Sequence, residues 1–157
     1  MRDEGDAAGR THFTCLPDPD HPGWHRWRLN DPTLYNEAIL GGARVRAEGP
    51  GSVRVRIIPQ ESHRNNAGNI HGGIILGLMD MSLFATLHFA HGVRAESAST
   101  VDLSSQFISP GDPGKPLDAV VDVLRETRRL AFLRGLVVQD DVIVGSFSGT
   151  VRKPTVQ

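Results

Sequence analysis

Hydrophobic and polar residues alternate along two neighbouring segments of the chain, ARVRAEG and SVRVRIIP, which meet at the turn residues EGPGS. Alternation with a period of two places every second side chain on the same face of an extended chain. The pattern therefore predicts two half-buried strands joined as a hairpin.

A long apolar segment follows, from Ile74 to Ala90, and His71-Gly72-Gly73 opens it. At about 18 residues it is too long for an ordinary strand, and its Leu, Met and Ala residues favour a helix that stops before Gly92. The segment is apolar almost all round, which is typical of a helix enclosed by other structure. A membrane span is the weaker interpretation, because the charge of Asp80 at a bilayer centre would cost about 2.5 to 3.5 kcal/mol or more.

Strand-like patterns continue after the helix in STVDLSSQFI, LDAVVDVLRE, LAFLRGLVVQ and VIVGSFSGTVR, with turn residues between them. Residues 42–153 thus have the order β-β-α-β-β-β-β, which predicts an α+β architecture with an antiparallel curved sheet around one helix. Residues 1–41 are rich in Pro, Asp, His and Trp and predict an irregular arm with one short helix around Pro32 to Leu40. Residues 154–157 are a short tail. A second subunit could cover the rest of the helix.

Length, charge and cysteine content narrow the class of protein. A chain of 157 residues is of single-domain size, and a net charge of -1 gives no basic footprint for nucleic acid or an anionic membrane. Cys15 is the only cysteine, so no internal disulfide forms and a reducing cytoplasm is expected. The first residues, MRDEGDAAGRTHFTC, lack the apolar core of a signal peptide.

The chemistry-bearing residues concentrate around the helix in the spacing N-x5-HGG-x6-D, formed by Asn65, His71-Gly72-Gly73 and Asp80. Together with the order of elements, this motif resembles the hotdog-fold acyl-CoA thioesterases of the phenylacetate-degradation (PaaI-like) type. The resemblance runs from about Ala43 to Lys153. It implies hydrolysis of an aryl-acetyl, aromatic or medium-chain acyl-CoA to free acid and CoA, without metal or other cofactor, by a homodimer or by a homotetramer built as a dimer of dimers.

Asp80 is the most conspicuous candidate, because a carboxylate amid apolar residues is costly unless it is compensated. An ordinary explanation is a carboxylate satisfied by neighbours or solvated at a subunit boundary. Enzymes also use such surroundings for general bases and nucleophiles, and the resemblance implies one of these two roles for Asp80.

The glycine pair offers free backbone N–H groups and the positive end of the helix dipole. Two glycines can also simply permit a turn or close packing. The resemblance implies that the Gly72 amide polarises the thioester carbonyl and that Gly73 contacts the substrate.

Gly72 and Asp80 are eight positions apart, or about 12 Å along a helix, whereas a base acts within about 3 Å of its target. One chain can hardly supply both groups to one carbonyl. Two antiparallel helices across a twofold axis would bring Gly72 of one chain toward Asp80 of the other, and the resemblance implies such a dimer.

Three further residues carry roles implied by the resemblance. Asn65 or His71 would orient the carbonyl or a water molecule, and Thr100 would hold the attacking water. The spacing to the glycine pair selects Asn65 over its neighbouring asparagines, while Ser99 could substitute for Thr100. Some hotdog thioesterases carry a Thr one turn beyond the acid, where this chain has Phe84, so that arrangement does not transfer.

Four arginines lie near the predicted turn between LDAVVDVLRE and LAFLRGLVVQ, namely Arg125, Arg128, Arg129 and Arg134. They form either a solvated hairpin or a phosphate-binding cluster for coenzyme A. His88 and His91 form an H-x-x-H pair, which favourable contact with the helix C-terminus explains better than a metal.

Two other functions remain open from the sequence. A hotdog hydratase would pair the acid with a His five residues later, and Ala85 occupies that position. A non-catalytic acyl-CoA sensor or scaffold would share the fold and the pocket without turnover.

Overall fold

A computed structural model describes residues 11–155 and contains one sheet of eight strands. The strands are β1 (Phe13–Pro17), β2 (His25–Leu29), β3 (Ala43–Gly49), β4 (Ser52–Ile57), β5 (Ser99–Phe107), β6 (Leu117–Glu126), β7 (Leu130–Gln139) and β8 (Val142–Arg152). Their spatial order is β1-β2-β3-β4-β6-β7-β8-β5, and every neighbouring pair is antiparallel. The edges of the sheet are therefore β1 and β5.

The long helix α2 (Gly72–His91) packs against the inner face of this sheet. Its side chains Leu78, Met79 and Leu83 are fully buried, and strand residues such as Val55 and Leu133 face them in the same core. Each buried side chain of this size contributes about 1.5 to 3 kcal/mol through removal of apolar surface from water. The predicted order of two strands, one helix and four strands is confirmed, as is the antiparallel hotdog sheet.

The ends of α2 lie where the sequence signals place them. His71 is the N-cap, and Gly92 ends the helix in the left-handed conformation with a φ of 63°. The helix is long and apolar enough to cross a membrane by length and composition alone, with a mean hydropathy of 1.6, but just over half of it is buried inside the protein. It occupies the position of a core helix.

The N-terminal arm differs from its prediction, because β1 and β2 form a hairpin that extends the sheet beyond β3. Trp27 is only 1% exposed and stacks on Phe13 with 4.1 Å between ring centroids. The apolar side chains of β2 alternate with Arg26 and Arg28, but the strand has only five residues, with an Asp-Pro pair in the turn before it and another just after it. The short helix was predicted correctly as α1 (Tyr35–Ala38). Residues 1–10 of the predicted arm and 156–157 of the predicted tail lie outside the described residues.

Asp18 holds the turn of this added hairpin against the sheet. Its buried carboxylate accepts a hydrogen bond from Arg44 Nε over 2.7 Å and lies 3.0 Å from Arg26 Nη2. Burial raises the pKa of the Asp18 carboxyl, but the hydrogen bonds from Arg44, the Asp20 amide and Arg26 outweigh burial and hold its pKa well below the usual range. The hairpin is thus attached to β3 through a charged network as well as by strand pairing.

Candidate active site

The first turn of α2 has one unsatisfied backbone donor. The His71 N–H donates to the His63 carbonyl, and the Gly73 N–H donates to His71 Nδ1 over 2.8 Å. Ile74 and Ile75 both donate to the His71 carbonyl. This leaves the Gly72 N–H without a partner among residues 11–155, in the position where the helix dipole is positive.

This arrangement separates the two glycines that the sequence treats as a pair. The amide of Gly73 is engaged by His71, so the predicted contact of Gly73 with substrate cannot use that amide while the cap is in place. The exposed His71 side chain is the N-cap of α2, and the hydrogen bond that it accepts from Gly73 stabilises the start of the helix.

Asn65 lines the same groove as Gly72. Its Oδ1 accepts hydrogen bonds from the Ala67 and Asn69 backbone amides at 3.0 and 3.1 Å, which fixes the loop before α2. The side-chain Nδ2 makes no hydrogen bond in the described part of the chain. A groove of about 350 Å³ is lined by Asn65, Gly72 and Phe107, among others. One half of the predicted site is therefore assembled around two unused N–H donors.

Asp80 and Thr100 form the other half. Thr100, on the edge strand β5, donates from Oγ1 to Asp80 Oδ1 over 2.6 Å. Ser99, the alternative to Thr100, has no such contact in the described residues. Asp80 is partly exposed in the single chain, although apolar residues surround it in the sequence. The sheet covers one side of α2 only, and Asp80 lies on the side left open.

The two halves are distant within one chain. Eight residues separate Gly72 from Asp80, so along the straight helix they are about 12 Å apart. No single carbonyl group can reach both the Gly72 amide and the Asp80 carboxylate of the same protomer.

The predicted arginine cluster is dispersed. Arg128 lines a cleft of about 660 Å³ beyond the C-terminal end of α2, together with His91, Arg94 and Lys153. Glu126 pairs with both His91 and Lys153, whereas Arg128 makes no ion pair in the part of the chain that the structure describes.

The other three arginines of the predicted cluster do not line this cleft. They are Arg125, Arg129 and Arg134, and Arg134 faces Asp122 on the outer surface of the sheet.

Two residues near the site went unrecognised in the sequence. Phe107 is the last residue of β5 and one of several exposed apolar residues. Only the position of its ring against Gly72 in the folded chain distinguishes it from the others. His63 is buried, accepts a hydrogen bond from the Gln60 N–H and donates from Nε2 to the Ile39 carbonyl over 2.7 Å. It thereby connects α1 to the loop that carries Asn65, a contact that depends on the tertiary fold.

The histidine pair near the end of α2 is divided between two contacts. His91 pairs with Glu126, and His88 lies edge-on to Trp27. The described residues contain no group of three or more His, Cys, Asp or Glu side chains arranged to hold a metal ion.

An antiparallel sheet curved around one helix, with a free amide at the helix start and a carboxylate two turns later, defines a hotdog-fold protein. The sequence model of the acyl-CoA thioesterase N-terminal domain matches residues 60–152. The chain belongs to the acyl-CoA thioesterase family and is a hydrolase that acts on thioester bonds.

Relatives and solved structures agree with this assignment. Human acyl-coenzyme A thioesterase 13 is 31% identical over 100 residues, which cover 61% of this chain and 67% of the relative. A mutant of the phenylacetic acid degradation protein PaaI from Thermus thermophilus is 25% identical, with a TM-score of 0.63 over 78% of this chain and 98% of its own. The Escherichia coli PaaI protein, at 18% identity and a TM-score of 0.64, covers 80% of this chain and 89% of its own and supports the fold alone.

Proposed function

We propose that this protein hydrolyses an aryl-acetyl, aromatic or medium-chain acyl-CoA to the free acid and CoA at a site shared by two copies of the chain. One observation carries the proposal: the Asp80–Thr100 pair and the free Gly72 amide lie at separate places along one open helix side. Each half has the chemistry of a hydrolytic site, and neither is complete alone.

A twofold arrangement of two α2 helices would unite the halves. If Gly72 of one antiparallel helix lies beside Asp80 of the other, the axis passes near Leu76, which is midway between them. Leu76 is apolar and 39% exposed, as expected for a side chain that a second copy covers. A dimer is then the smallest complete unit, and a dimer of dimers would preserve both of its sites.

The edge strand β5 supports the same assembly. Its outer edge has unpaired backbone groups, and Val101 and Phe107 are exposed by more than half. Such an edge is a ready template for pairing with another chain. A twofold axis near the middle of β5 would also bring the Thr100 end of one strand toward the partner's Phe107 end, in agreement with the helix arrangement.

In the proposed site, the Gly72 N–H and Asn65 Nδ2 of one protomer donate hydrogen bonds to the thioester carbonyl oxygen. These donors stabilise the negative charge that develops on that oxygen as the carbonyl carbon is attacked. Asp80 of the other protomer supplies the second function. As a general base it takes a proton from a water molecule held by Thr100, and the water oxygen bonds to the carbonyl carbon. The carbon–sulfur bond then breaks, and the departing thiolate of CoA takes the proton from Asp80.

A second route fits the same geometry, in which Asp80 attacks the carbonyl carbon directly and an anhydride forms before water cleaves it. Single-turnover hydrolysis in oxygen-18 water tests the second route. Label in the Asp80 carboxylate after one turnover indicates an anhydride that water cleaves at the Asp80 carbon, whereas label in the released acid alone shows that water attacks the acyl carbon.

For the coenzyme A portion, we propose Arg128 as the principal phosphate contact. Arg128 lines the cleft beyond the end of α2, about 16 Å along the helix from Asp80, and no carboxylate competes for it among residues 11–155. A guanidinium group binds phosphate oxygens in a bidentate manner. The solvent-exposed Arg125 and Arg129 would add longer-range attraction.

The deciding experiment is thiol release from a panel of acyl-CoAs by the purified protein, compared with Asp80→Asn. The amide keeps the shape of the side chain but removes its charge, so we expect the turnover rate to fall by at least about 100-fold. Asp141→Asn, which removes an exposed carboxylate in the turn between β7 and β8, away from the edge strand β5, serves as the matched control and should retain the rate. Full activity in Asp80→Asn, or no turnover of any acyl-CoA by the unaltered protein, would refute the proposal.

A further inference from the structure

Tyr35, the first residue of α1, rests on the open side of α2 at Gly77. A methyl group added at Gly77 would overlap the Tyr35 hydroxyl and would lie 3.1 Å from the ring carbon Cζ. Gly77 therefore provides the space that the aromatic ring occupies. Substitution of this glycine by any larger residue would require Tyr35 to move.

The short helix that carries Tyr35 is fixed at several points. Glu37 accepts a hydrogen bond from the Leu29 N–H over 2.7 Å, and the Ile39 carbonyl accepts one from His63. Leu40, just beyond the helix, is fully buried. Because these contacts come from β2, from the loop before α2 and from the core, the fold fixes the segment that carries Tyr35.

The ring lies next to the catalytic half-site. Gly77 precedes Asp80 by three residues, so the two positions are neighbours on one helix side, about 5 to 6 Å apart. The Tyr35 side chain nevertheless remains 48% exposed, and its hydroxyl makes no hydrogen bond within the described range. The apolar side chains Leu34 and Ile39 from the same segment are also exposed. A large aromatic ring thus stands one helix turn from the carboxylate.

We infer that Tyr35 determines the size of the acyl group that this enzyme accepts, by forming the wall of the acyl pocket beside Asp80. The inference rests on the proposed function, because it takes the carbonyl carbon to lie at Asp80. An acyl group that extends from that carbon along the open side of α2 toward its N-terminus meets the ring within one turn. The ring, carried by this anchored segment, blocks longer chains and packs against shorter or aromatic ones.

The test measures kcat/KM for a series of saturated acyl-CoAs from butanoyl to dodecanoyl, together with phenylacetyl-CoA. Tyr35→Ala removes the wall, so the ratio of kcat/KM for dodecanoyl-CoA to that for butanoyl-CoA should rise by at least about tenfold. Tyr35→Trp enlarges the wall and should lower the same ratio. Tyr35→Phe keeps the ring and should leave the ratio within about twofold of the unaltered protein.

Leu16→Ala, which removes another exposed apolar side chain, on the edge strand β1, controls for a general effect of losing surface hydrophobicity. Circular dichroism establishes that each variant folds, and Tyr35→Trp still tests the inference if Tyr35→Ala does not. An unchanged ratio in both variants, or equal losses for every chain length, would overturn the role of Tyr35 while the proposed function stands. Failure of the unaltered protein to hydrolyse any acyl-CoA would instead overturn both.

Discussion

At the scale of single residues, the side chain of His71 decides which backbone amide is free at the start of α2. Gly72 and Gly73 are adjacent and identical, yet the side chain of His71 engages only the second amide and leaves the first free. Likewise Asn65 uses its carbonyl oxygen within its own loop and keeps its amide nitrogen available. The motif spacing could select these positions, but the assignment of each hydrogen bond needed the folded backbone.

The hydroxyl of Thr100 should matter for turnover because it donates to the carboxylate of Asp80. Thr100→Ala removes a hydrogen bond to a charged group, which is worth about 1.5 to 3 kcal/mol, so we expect kcat to fall about 10- to 100-fold. Thr100→Ser keeps the hydroxyl and should retain most of the rate. Steady-state thiol release measures both, and equal losses in the two variants would show that the methyl group of Thr100, not its hydroxyl, is required.

The cap formed by His71 makes a separate prediction about stability. His71→Ala leaves the Gly73 amide without its side-chain acceptor, so the free energy of unfolding should fall by about 1 kcal/mol. His71→Asn supplies another good N-cap acceptor and should recover most of this loss. Urea unfolding of the three proteins provides the comparison. Identical midpoints for the unaltered protein and His71→Ala would mean that the cap contributes nothing to stability.

At the scale of elements, long regular patterns were predictable and short ones were not. The alternation of apolar and polar residues predicts β3 and β4, and the length of the apolar segment predicts α2. These local patterns suffice without contacts from the rest of the chain. β1 and β2 have five residues each, and their pairing depends on the stack of Trp27 on Phe13 and on the buried Asp18. These contacts join residues that are distant in sequence, so no local sequence pattern predicts them.

The Asp18 network predicts how the added hairpin responds to acid. The pKa of the Asp18 carboxyl is lower in the folded protein than in the unfolded chain, so the unfolded chain binds the proton first as pH falls. Stability contributed by this carboxylate is therefore present at neutral pH and is lost progressively below about pH 4, near the unfolded pKa of Asp.

Asp18→Asn tests this expectation by removing the titrating group. The variant should be less stable than the unaltered protein at pH 7, and the gap between their urea midpoints should narrow as the pH is lowered from about 5 to about 3. Asp20→Asn, which changes an exposed neighbour that also pairs with Arg26, is the control and should show a much smaller gap. A gap that stays constant with pH would contradict the assignment of the effect to the charge of Asp18.

At the scale of the whole molecule, the chain places the proposed catalytic groups in two half-sites that cannot meet within one copy. The sequence could predict this, because helix geometry converts a spacing of eight residues into a distance that no hydrogen bond spans. The sequence could not predict the exposed surface on the open side of α2, to which a second copy would bind. That surface combines residues of α1, α2 and β5, and its exposed residues, including Leu76, Val101 and Phe107, become neighbours only after folding.

Subunit mixing tests the shared site directly. Asp80→Asn and Asn65→Ala each damage a different half-site, so each homodimer alone should be weakly active. If subunits exchange at random, half of the dimers are mixed, and each mixed dimer contains one site with both halves intact. The mixture should therefore recover about a quarter of the activity of the unaltered protein. Mixing Asp80→Asn with Thr100→Ala is the control, because both changes fall in the same half-site and no intact site can form. Recovery in the control, or none in the test mixture despite proven subunit exchange, would mean that each chain works with its own residues and that the helices do not pair as proposed.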